Sequence, residues 1–250
     1  MSLIRPKIAV SFFFLSGGSA LALWAVHIPL IEEAVGITYS VLGALLMLSG
    51  VGGFLAMQLF GYLVDHVGSK TATRIGGVAV GLSLLGPAFA QTPLALGLSI
   101  LLLGFGIAGV DVAMNAAALQ VEKENPRPIF TFFHLFWSVG GLLGAGIGFA
   151  TISAGFVQSQ TLAVVGIALS LVGFFMASWL LPNKPNVHTK DRAVNKQSGK
   201  QNRRVLGFVI LAGLMSAAGA IIEGVAHDWS ALYLSCLLYT SDAADDLTRV

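Results

Sequence analysis

Residues 61–74 read GYLVDHVGSKTATR, and their polar part at 65–74 separates two long apolar runs at 41–64 and 75–91. A helix needs about 20 mostly apolar residues to cross a bilayer, and the first run exceeds this length while the second approaches it. The segment is therefore predicted to join two membrane-spanning helices at the membrane surface.

Composition agrees with a chain that lies mostly in lipid. Of 250 residues, 56% are hydrophobic and 10% are charged, whereas soluble domains carry about 25% charged residues. The single cysteine, Cys236, excludes an intrachain disulfide and a thiolate metal site. Basic residues are too scattered for a nucleic-acid surface. We expect an all-α integral membrane protein with no metal and no cofactor.

Seven segments are long and apolar enough to cross a membrane, with Pro93 separating the third from the fourth. They are 8–30, 41–64, 75–91, 94–119, 129–152, 161–181 and 205–226. The first follows Arg5 and Lys7 like a signal peptide. However, it is long enough to span and has no small-residue cleavage site, so we expect it to be retained.

Positive charges are distributed on one side of this topology. Every Lys and Arg except Arg249 falls at the N-terminus, in the 2–3 or 4–5 connection, or in a basic linker at 182–204. Positively charged loops face the cytoplasm. The pattern predicts a multi-pass protein of the plasma (inner) membrane with a cytoplasmic N-terminus.

The segment at 61–74 resembles the G-x-L-x-D-x-x-G-x-[KR] signature of the major facilitator superfamily. The resemblance covers residues 8 to about 234. It implies a six-helix N-terminal bundle at 1–181, the linker at 182–204, and helix 7 at 205–235 as the first helix of a second bundle. The rest of that bundle would be a missing C-terminal half of the same polypeptide.

The resemblance also implies a role for the signature residues in conformational switching. Asp65 would latch the inner side, while Gly61 and Gly68 would permit close packing and a tight turn. Lys70 and Arg74 are also explained by topology alone.

Other stretches resemble the branch of the superfamily that contains MosC-like and fucose-permease-like proteins. They lie at 24–29, 111–116, 133–138, 223–224 and 228–231. Drug antiporters would carry a Gly-Pro pair in helix 5, and residues 140–148 contain no proline. This absence argues against a drug/proton antiporter, which we retain as an alternative.

The tail at 236–250 begins CLLYTSDAADD, which resembles the in-frame translation of a transposase-based sequencing adapter. We predict that it is not native, and Cys236 with it. The alternative is a short eighth helix that begins at Tyr233.

Ionisable residues inside a membrane are functional candidates because each costs at least about 2.5–3.5 kcal/mol at the bilayer centre. Asp111 and Asn115 share one face of helix 4 with Gly104, Ala108 and Ala118. This face predicts a proton or substrate site. The alternative is a structural hydrogen bond from Asp111 to a neighbouring helix.

His134 on helix 5 is predicted at a depth similar to that of Asp111, and we hypothesise that the two titrate as a pair during transport. A packed histidine that bonds a carbonyl group is the alternative. Trp137 could stack on a sugar ring or fill a helix interface. His27 and Glu223 are proposed as an outer gate or substrate contact, with an interfacial location as the alternative for His27.

Together these features predict a secondary active or facilitative transporter of a small polar solute, with sugar-like solutes among the candidates, that works by alternating access. Its partners would be the bilayer, the solute and, if coupled, protons entering through Asp111 or Glu223. A seven-helix receptor or sensor is the main alternative. An intramembrane enzyme is disfavoured because no nucleophile–base pair, metal cluster or phosphate-binding loop is evident.

Overall fold

The computed structural model describes residues 3–183 and 202–247, and nearly all of these residues are helical. Their contacts divide the chain into two compact units, Met1–Pro185 and Asn186–Val250. The helices of the first unit are α1 (Ile4–Val35), α2 (Tyr39–Val67), α3 (Ser69–Ser83), α4 (Leu85–Phe89), α5 (Pro93–Lys123), α6 (Phe130–Ser153) and α7 (Gln158–Met176), which ends in a 3₁₀ turn at Ala177–Trp179. In the second unit, α8 runs from Asn202 to Leu247.

Six spans in the described residues are long and apolar enough to cross a membrane, and α3 and α4 together form one of them. These spans match the first six predicted from hydropathy. The third is broken at Leu84, three residues before Pro87. Proline has no N–H and its ring crowds the carbonyl group four residues earlier, so a helix is interrupted at this point.

Turn residues set several helix ends. Thr38 accepts a hydrogen bond from the N–H of Val41 at the start of α2, and Thr92 accepts one from Ala95 at the start of α5. Threonine at these positions satisfies an N–H that has no partner within the helix. Pro93 occupies the first turn of α5, so the predicted break before Pro93 is confirmed.

The segment at 61–74 is helical except at Gly68, so the connection between the two spans is a single residue. α2 continues to Val67, α3 begins at Ser69, and Gly68 alone separates them. Hydropathy detects only the part of a helix that lies in lipid, whereas backbone hydrogen bonds continue into the polar boundary. For the same reason α8 begins before and ends after the predicted span at 205–226.

Glycines bring the backbones of the first unit close together. A Cβ at Gly140 would overlap the carbonyl group of Leu15, and one at Gly144 would overlap that of Ser19. The hydroxyl group of Ser19 also donates to the carbonyl oxygen of Gly140 at 2.9 Å. Small residues of α6 therefore let its backbone approach that of α1 closely.

α1 lies at the centre of the first unit. In its most apolar window 72% of the residues are buried, compared with 17% for α6. α6 packs on α1, α5 packs on α2 and α3, and α7 packs on α3. Most of the described side chains of α8 are exposed. The domain boundaries inferred from sequence stay predictions, and residues 184–201 of the linker and 248–250 of the tail lie outside the described residues.

Candidate functional site

Asp111 and Asn115 form a hydrogen-bonded pair within α5. The amide nitrogen Nδ2 of Asn115 donates to the carboxylate Oδ1 of Asp111 at 3.0 Å and to its backbone oxygen at 2.9 Å. Both residues are half-buried. Asn115 therefore orients the carboxylate, as expected for two polar residues one helical turn apart.

The other small residues of this predicted face have a different role. A Cβ at Gly104 would overlap the carbonyl group of Ser49, and Ala108 lies within contact distance of the Gly53 position, so both pack against α2. The predicted face therefore has two parts. Gly104 and Ala108 pack against α2, and the following turns of α5 carry Asp111 and Asn115.

His134 is exposed, and its ring contacts two phenylalanines. The ring centroids lie 4.9 Å from Phe14 and 5.2 Å from Phe130. Asp111 lies on α5, a different helix from that of His134, and is bonded by Asn115 of its own helix. The Asp111–His134 pair therefore stays a prediction.

Trp137 is wedged between α6 and α1. A Cβ at Gly17 would overlap its indole ring, and a Cβ at Gly18 would overlap its carbonyl oxygen. This position favours the packing interpretation of Trp137 over a role in stacking on a sugar.

His27 is fully buried between α1 and α6. Its Nδ1 donates to the carbonyl oxygen of Leu23 at 2.7 Å, and its Cε1 lies 3.3 Å from a Cβ built at Gly148. Within the described part of the chain, the buried Nε2 has no hydrogen-bond partner. The proposed outer-gate role of His27 and the alternative of an interfacial location both stay predictions.

Glu223 lies on α8 and is 63% exposed, with its carboxylate 3.8 Å from the Nε2 of His227 one turn later. Because it belongs to the second unit, its predicted partnership with His27 stays a prediction.

The signature residues Lys70 and Arg74 hold the end of α7. The ammonium group of Lys70 donates to the carbonyl oxygens of Ser178 at 2.8 Å and Leu180 at 3.2 Å. The guanidinium group of Arg74 lies 5.3 Å above the ring of Phe174. The last carbonyl groups of a helix lack internal partners and carry partial negative charge, which a lysine satisfies. Both residues thus have a structural role beyond topology.

Asn183, which sequence reasoning missed, bonds both sides of the α2–α3 turn. Its Nδ2 donates to the carbonyl oxygen of Val67 at 2.6 Å and to the hydroxyl oxygen of Thr71 at 2.9 Å. Its Oδ1 accepts from the N–H of Lys70 at 2.9 Å. We call Asn183 with Val67, Gly68, Lys70 and Thr71 the Asn183 clasp. The only signal in the sequence was an asparagine, a residue that bonds turn backbones, at the start of a polar linker.

Gly68 makes room for the Asn183 clasp. Its φ of +86° lies in the region that favours glycine, and a Cβ would overlap the side chain of Asn183. In contrast, nothing described lies within 4 Å of a Cβ built at Gly61. The one-residue turn therefore lies at Gly68, and the predicted role of both glycines in conformational switching stays a prediction. Asp65 is exposed near the end of α2.

Gln120 and Glu122 connect the end of α5 to its neighbours. The hydroxyl group of Ser69 donates to Gln120 at 2.7 Å, and Gln120 donates to the carbonyl oxygen of Pro182 at 3.0 Å. The carboxylate of Glu122 accepts from the N–H groups of Ile129 and Phe130 and caps α6. Among residues 3–183 and 202–247, no group of three His, Cys, Asp or Glu side chains could hold a metal.

Six apolar spans packed through glycines, with one polar turn clasped at the membrane boundary, define a polytopic helical membrane protein. The sequence profile of the Major Facilitator Superfamily matches residues 8–240, and the chain belongs to this superfamily. The fold expected from the sequence is thereby confirmed.

Relatives of known sequence are longer than this chain. It is 31% identical over 246 residues to "Uncharacterized transporter y4wD" of Sinorhizobium fredii, an alignment that covers 97% of this chain and 63% of the relative. It is 28% identical over 248 residues to "Membrane protein MosC" of Rhizobium meliloti, covering 97% and 57%. The predicted MosC-like resemblance is confirmed, and the fucose-permease-like resemblance stays a prediction.

Among solved structures, the chain is similar to the nucleoside transporter NupG, determined as a D323A mutant. The TM-score is 0.65 at 16% identity, and the match covers 91% of this chain and 56% of NupG. At this identity the likeness shows the fold alone.

Proposed function

We propose that this chain supplies the first bundle of an alternating-access transporter for a small polar solute. The observation that carries the proposal is a carboxylate, Asp111, held by Asn115 inside a membrane-spanning helix of a superfamily member. An ionisable group at this depth is costly, so its retention favours a role in binding or coupling.

The solute is proposed to be hydroxyl-rich and sugar-like. Asn115 and Asp111 offer an amide and a carboxylate, which bind hydroxyl groups well. The similar fold of NupG, a nucleoside transporter, supports including nucleosides among the solutes to be tested.

Coupling to protons would proceed through Asp111. Protonation would remove the negative charge and change the acceptor oxygens into a partial donor, so the hydrogen bond from Asn115 would weaken. His134 is the proposed second proton-binding group, and Glu223 is the corresponding candidate in the second unit. His27 and Glu223 remain our proposed outer gate.

The proposed solute path needs a second bundle. The curated relatives extend well beyond this chain, which spans 63% and 57% of two of them. We propose that the native polypeptide continues after about Leu234 and completes the path. Sequencing source DNA across the following codons tests this: five further apolar spans are expected, and an in-frame stop after Val250 would contradict the proposal.

Uptake in proteoliposomes tests the transport function. The polypeptide encoded by that source gene would be reconstituted and offered radiolabelled sugars and nucleosides, with and without an inward proton gradient. We expect one solute class to accumulate. Failure of all of them, with ligand-dependent signalling in its place, would favour the receptor alternative. Efflux of hydrophobic cations instead would favour the drug/proton antiporter.

Variants then test the site within the same assay. Asp111→Asn is expected to abolish stimulation by the proton gradient, and His134→Ala is expected to reduce it. Glu33→Gln, which neutralises an exposed carboxylate near the end of α1, is the matched control and should leave stimulation unchanged. If Asp111→Asn and His134→Ala both kept the pH dependence of uptake, the coupling proposal would be wrong.

A further inference from the structure

A cavity opens where α5 ends and α6 begins. Its volume is about 660 Å³, which is within the range of small-molecule sites. Its wall is mostly apolar and aromatic, and it contains a single carboxylate, that of Glu122. Leu119, Phe130, Thr131 and Phe132 also line it. The cavity therefore combines apolar surface with one charged group, as small-molecule sites commonly do.

Only one oxygen of the Glu122 carboxylate is used within the described part of the chain. Oε2 accepts hydrogen bonds from the N–H groups of Ile129 and Phe130. Within residues 3–183 and 202–247, Oε1 makes no hydrogen bond or ion pair, although Glu122 is half-buried. Both oxygens of an ionised carboxylate accept hydrogen bonds. Oε1 is therefore available to a ligand in the cavity.

The cavity lies on the same face of α5 as the Asp111–Asn115 pair. Asn115 follows Asp111 by four residues, Leu119 follows Asn115 by four, and Glu122 follows Leu119 by three. Residues spaced in this way share one face of a helix. From Asp111 to Glu122 the helix rises about 16 Å. The cavity thus continues the candidate solute site toward the end of α5.

Phe130 connects the cavity to His134. Phe130 lines the cavity, and its ring centroid lies 5.2 Å from that of His134. The N–H group of Phe130 also donates to Glu122. The carboxylate and the proposed second proton-binding group are therefore neighbours of the same aromatic residue at the first turn of α6.

The groups in the cavity suit a hydroxyl-rich solute. A carboxylate oxygen accepts hydrogen bonds from hydroxyl groups, and the hydroxyl group of Thr131 both donates and accepts. The rings of Phe130 and Phe132 offer flat apolar surface against which the C–H groups of a sugar ring can pack. An anionic solute would be repelled by the charge of Glu122.

We propose that this cavity is a second solute site, which we call the inner site, where Glu122 holds a hydroxyl-rich solute at the end of α5. The positive charges of the neighbouring connection predict that this end faces the cytoplasm. The inference rests on the proposed function for the class of solute. It adds a place where the solute pauses between the Asp111–Asn115 pair and the cytoplasm.

Thiol protection tests binding at the inner site without requiring transport. In a cysteine-free background, detergent-solubilised Thr131→Cys protein would react with N-ethylmaleimide in the presence of glucose, galactose, adenosine or uridine. We expect at least one of these four solutes at saturation to slow labelling about tenfold, because mass action leaves few sites empty. Adding Glu122→Gln should abolish the protection, although this variant keeps an oxygen that can cap α6.

The matched control is Glu124→Gln, which neutralises an exposed carboxylate two residues later that does not line the cavity. Protection should be unchanged in this control. If none of the four solutes protects the thiol, or if Glu122→Gln and Glu124→Gln lose protection equally, the inner site is wrong.

Transport from the two sides of the membrane separates the inner site from the proposed function. In proteoliposomes, Glu122→Gln should raise the KM for solute supplied at the α5 end at least about fivefold and change the KM from the other side less than about twofold, because a hydrogen bond to a charged acceptor is lost on one side only. Transport with equal KM changes on both sides would overturn the inner site and leave the transporter proposal standing. Thiol protection without any transport would overturn the transporter proposal and leave the inner site standing.

Discussion

A single amide side chain, that of Asn183, bonds both sides of the one-residue turn between α2 and α3. It makes three hydrogen bonds, to Val67, Lys70 and Thr71. Because the turn belongs to the superfamily signature, the Asn183 clasp links that signature to the end of the sixth span. At this scale, the signature is held by a residue that lies outside it.

We predict that Asn183→Ala lowers stability. Three hydrogen bonds at an exposed position are worth about 1–2 kcal/mol together, which corresponds to a fall of about 2–6 °C in apparent melting temperature. The measurement is thermal unfolding of the detergent-solubilised protein. Asn125→Ala is the control because Asn125 makes one exposed bond, to the carbonyl oxygen of Arg127. An equal effect of both substitutions would contradict the clasp.

The two signature glycines are predicted to differ. Gly68→Ala places a Cβ against Asn183 at positive φ and should destabilise the protein by about 1–3 kcal/mol. Gly61→Ala meets open space within a helix and should be neutral or slightly stabilising. Combining Gly68→Ala with Asn183→Ala should cost less than the sum of the two. Additive losses would show that the two residues act separately.

At the scale of elements, glycine positions determine which helices meet. α1 and α6 approach through Gly140 and Gly144, and α2 and α5 approach through Gly52 and Gly104. Association within lipid has no hydrophobic driving force, so van der Waals contact of this kind has to hold the helices together.

Gly144→Ala and Gly146→Ala provide a test within one helix. A Cβ at Gly144 would overlap the carbonyl group of Ser19, whereas one at Gly146 meets nothing described within 4 Å. We expect Gly144→Ala to lower the melting temperature and the yield of monodisperse protein, since overpacking costs about 1–3 kcal/mol. Gly146→Ala should leave both unchanged, and a similar loss in both variants would refute this account of the interface.

Hydropathy predicted the spans well but missed their connections, for physical reasons. The first six spans follow from the lipid requirement for about 20 apolar residues. Hydropathy did not show that the α2–α3 connection is a single residue, because helix continuation outside lipid leaves no mark on hydropathy. Asn183 could not be predicted because its partners are 112 to 116 positions earlier in the chain.

The candidate site residues were identified from the free-energy cost of placing a charge in lipid, not from contacts between side chains. This cost identified Asp111 and His134. The structure adds that Asn115 orients the carboxylate of Asp111. For Trp137 the same reasoning could not separate packing from binding, because both use an aromatic surface. Its wedge against Gly17 favours packing.

At the scale of the whole molecule, the distribution of charge predicts orientation. In a Cys236→Ser background, Gln91→Cys lies in a predicted outer turn and Arg127→Cys in a predicted inner one, and both positions are exposed. A membrane-impermeant maleimide should label Gln91→Cys in intact cells and Arg127→Cys only after permeabilisation. The reverse pattern would invert the predicted topology.

The close contact between glycines of α6 and carbonyl groups of α1 also limits which missense substitutions this gene can tolerate. Every glycine codon begins with two guanines, and each missense change of one nucleotide produces a residue that carries a Cβ. At Gly140 and Gly144 that atom would meet a carbonyl group of α1 whichever amino acid is encoded. In a library of single-nucleotide variants, these codons should therefore lack tolerated missense alleles, while the neighbouring codon for Gly146 keeps several.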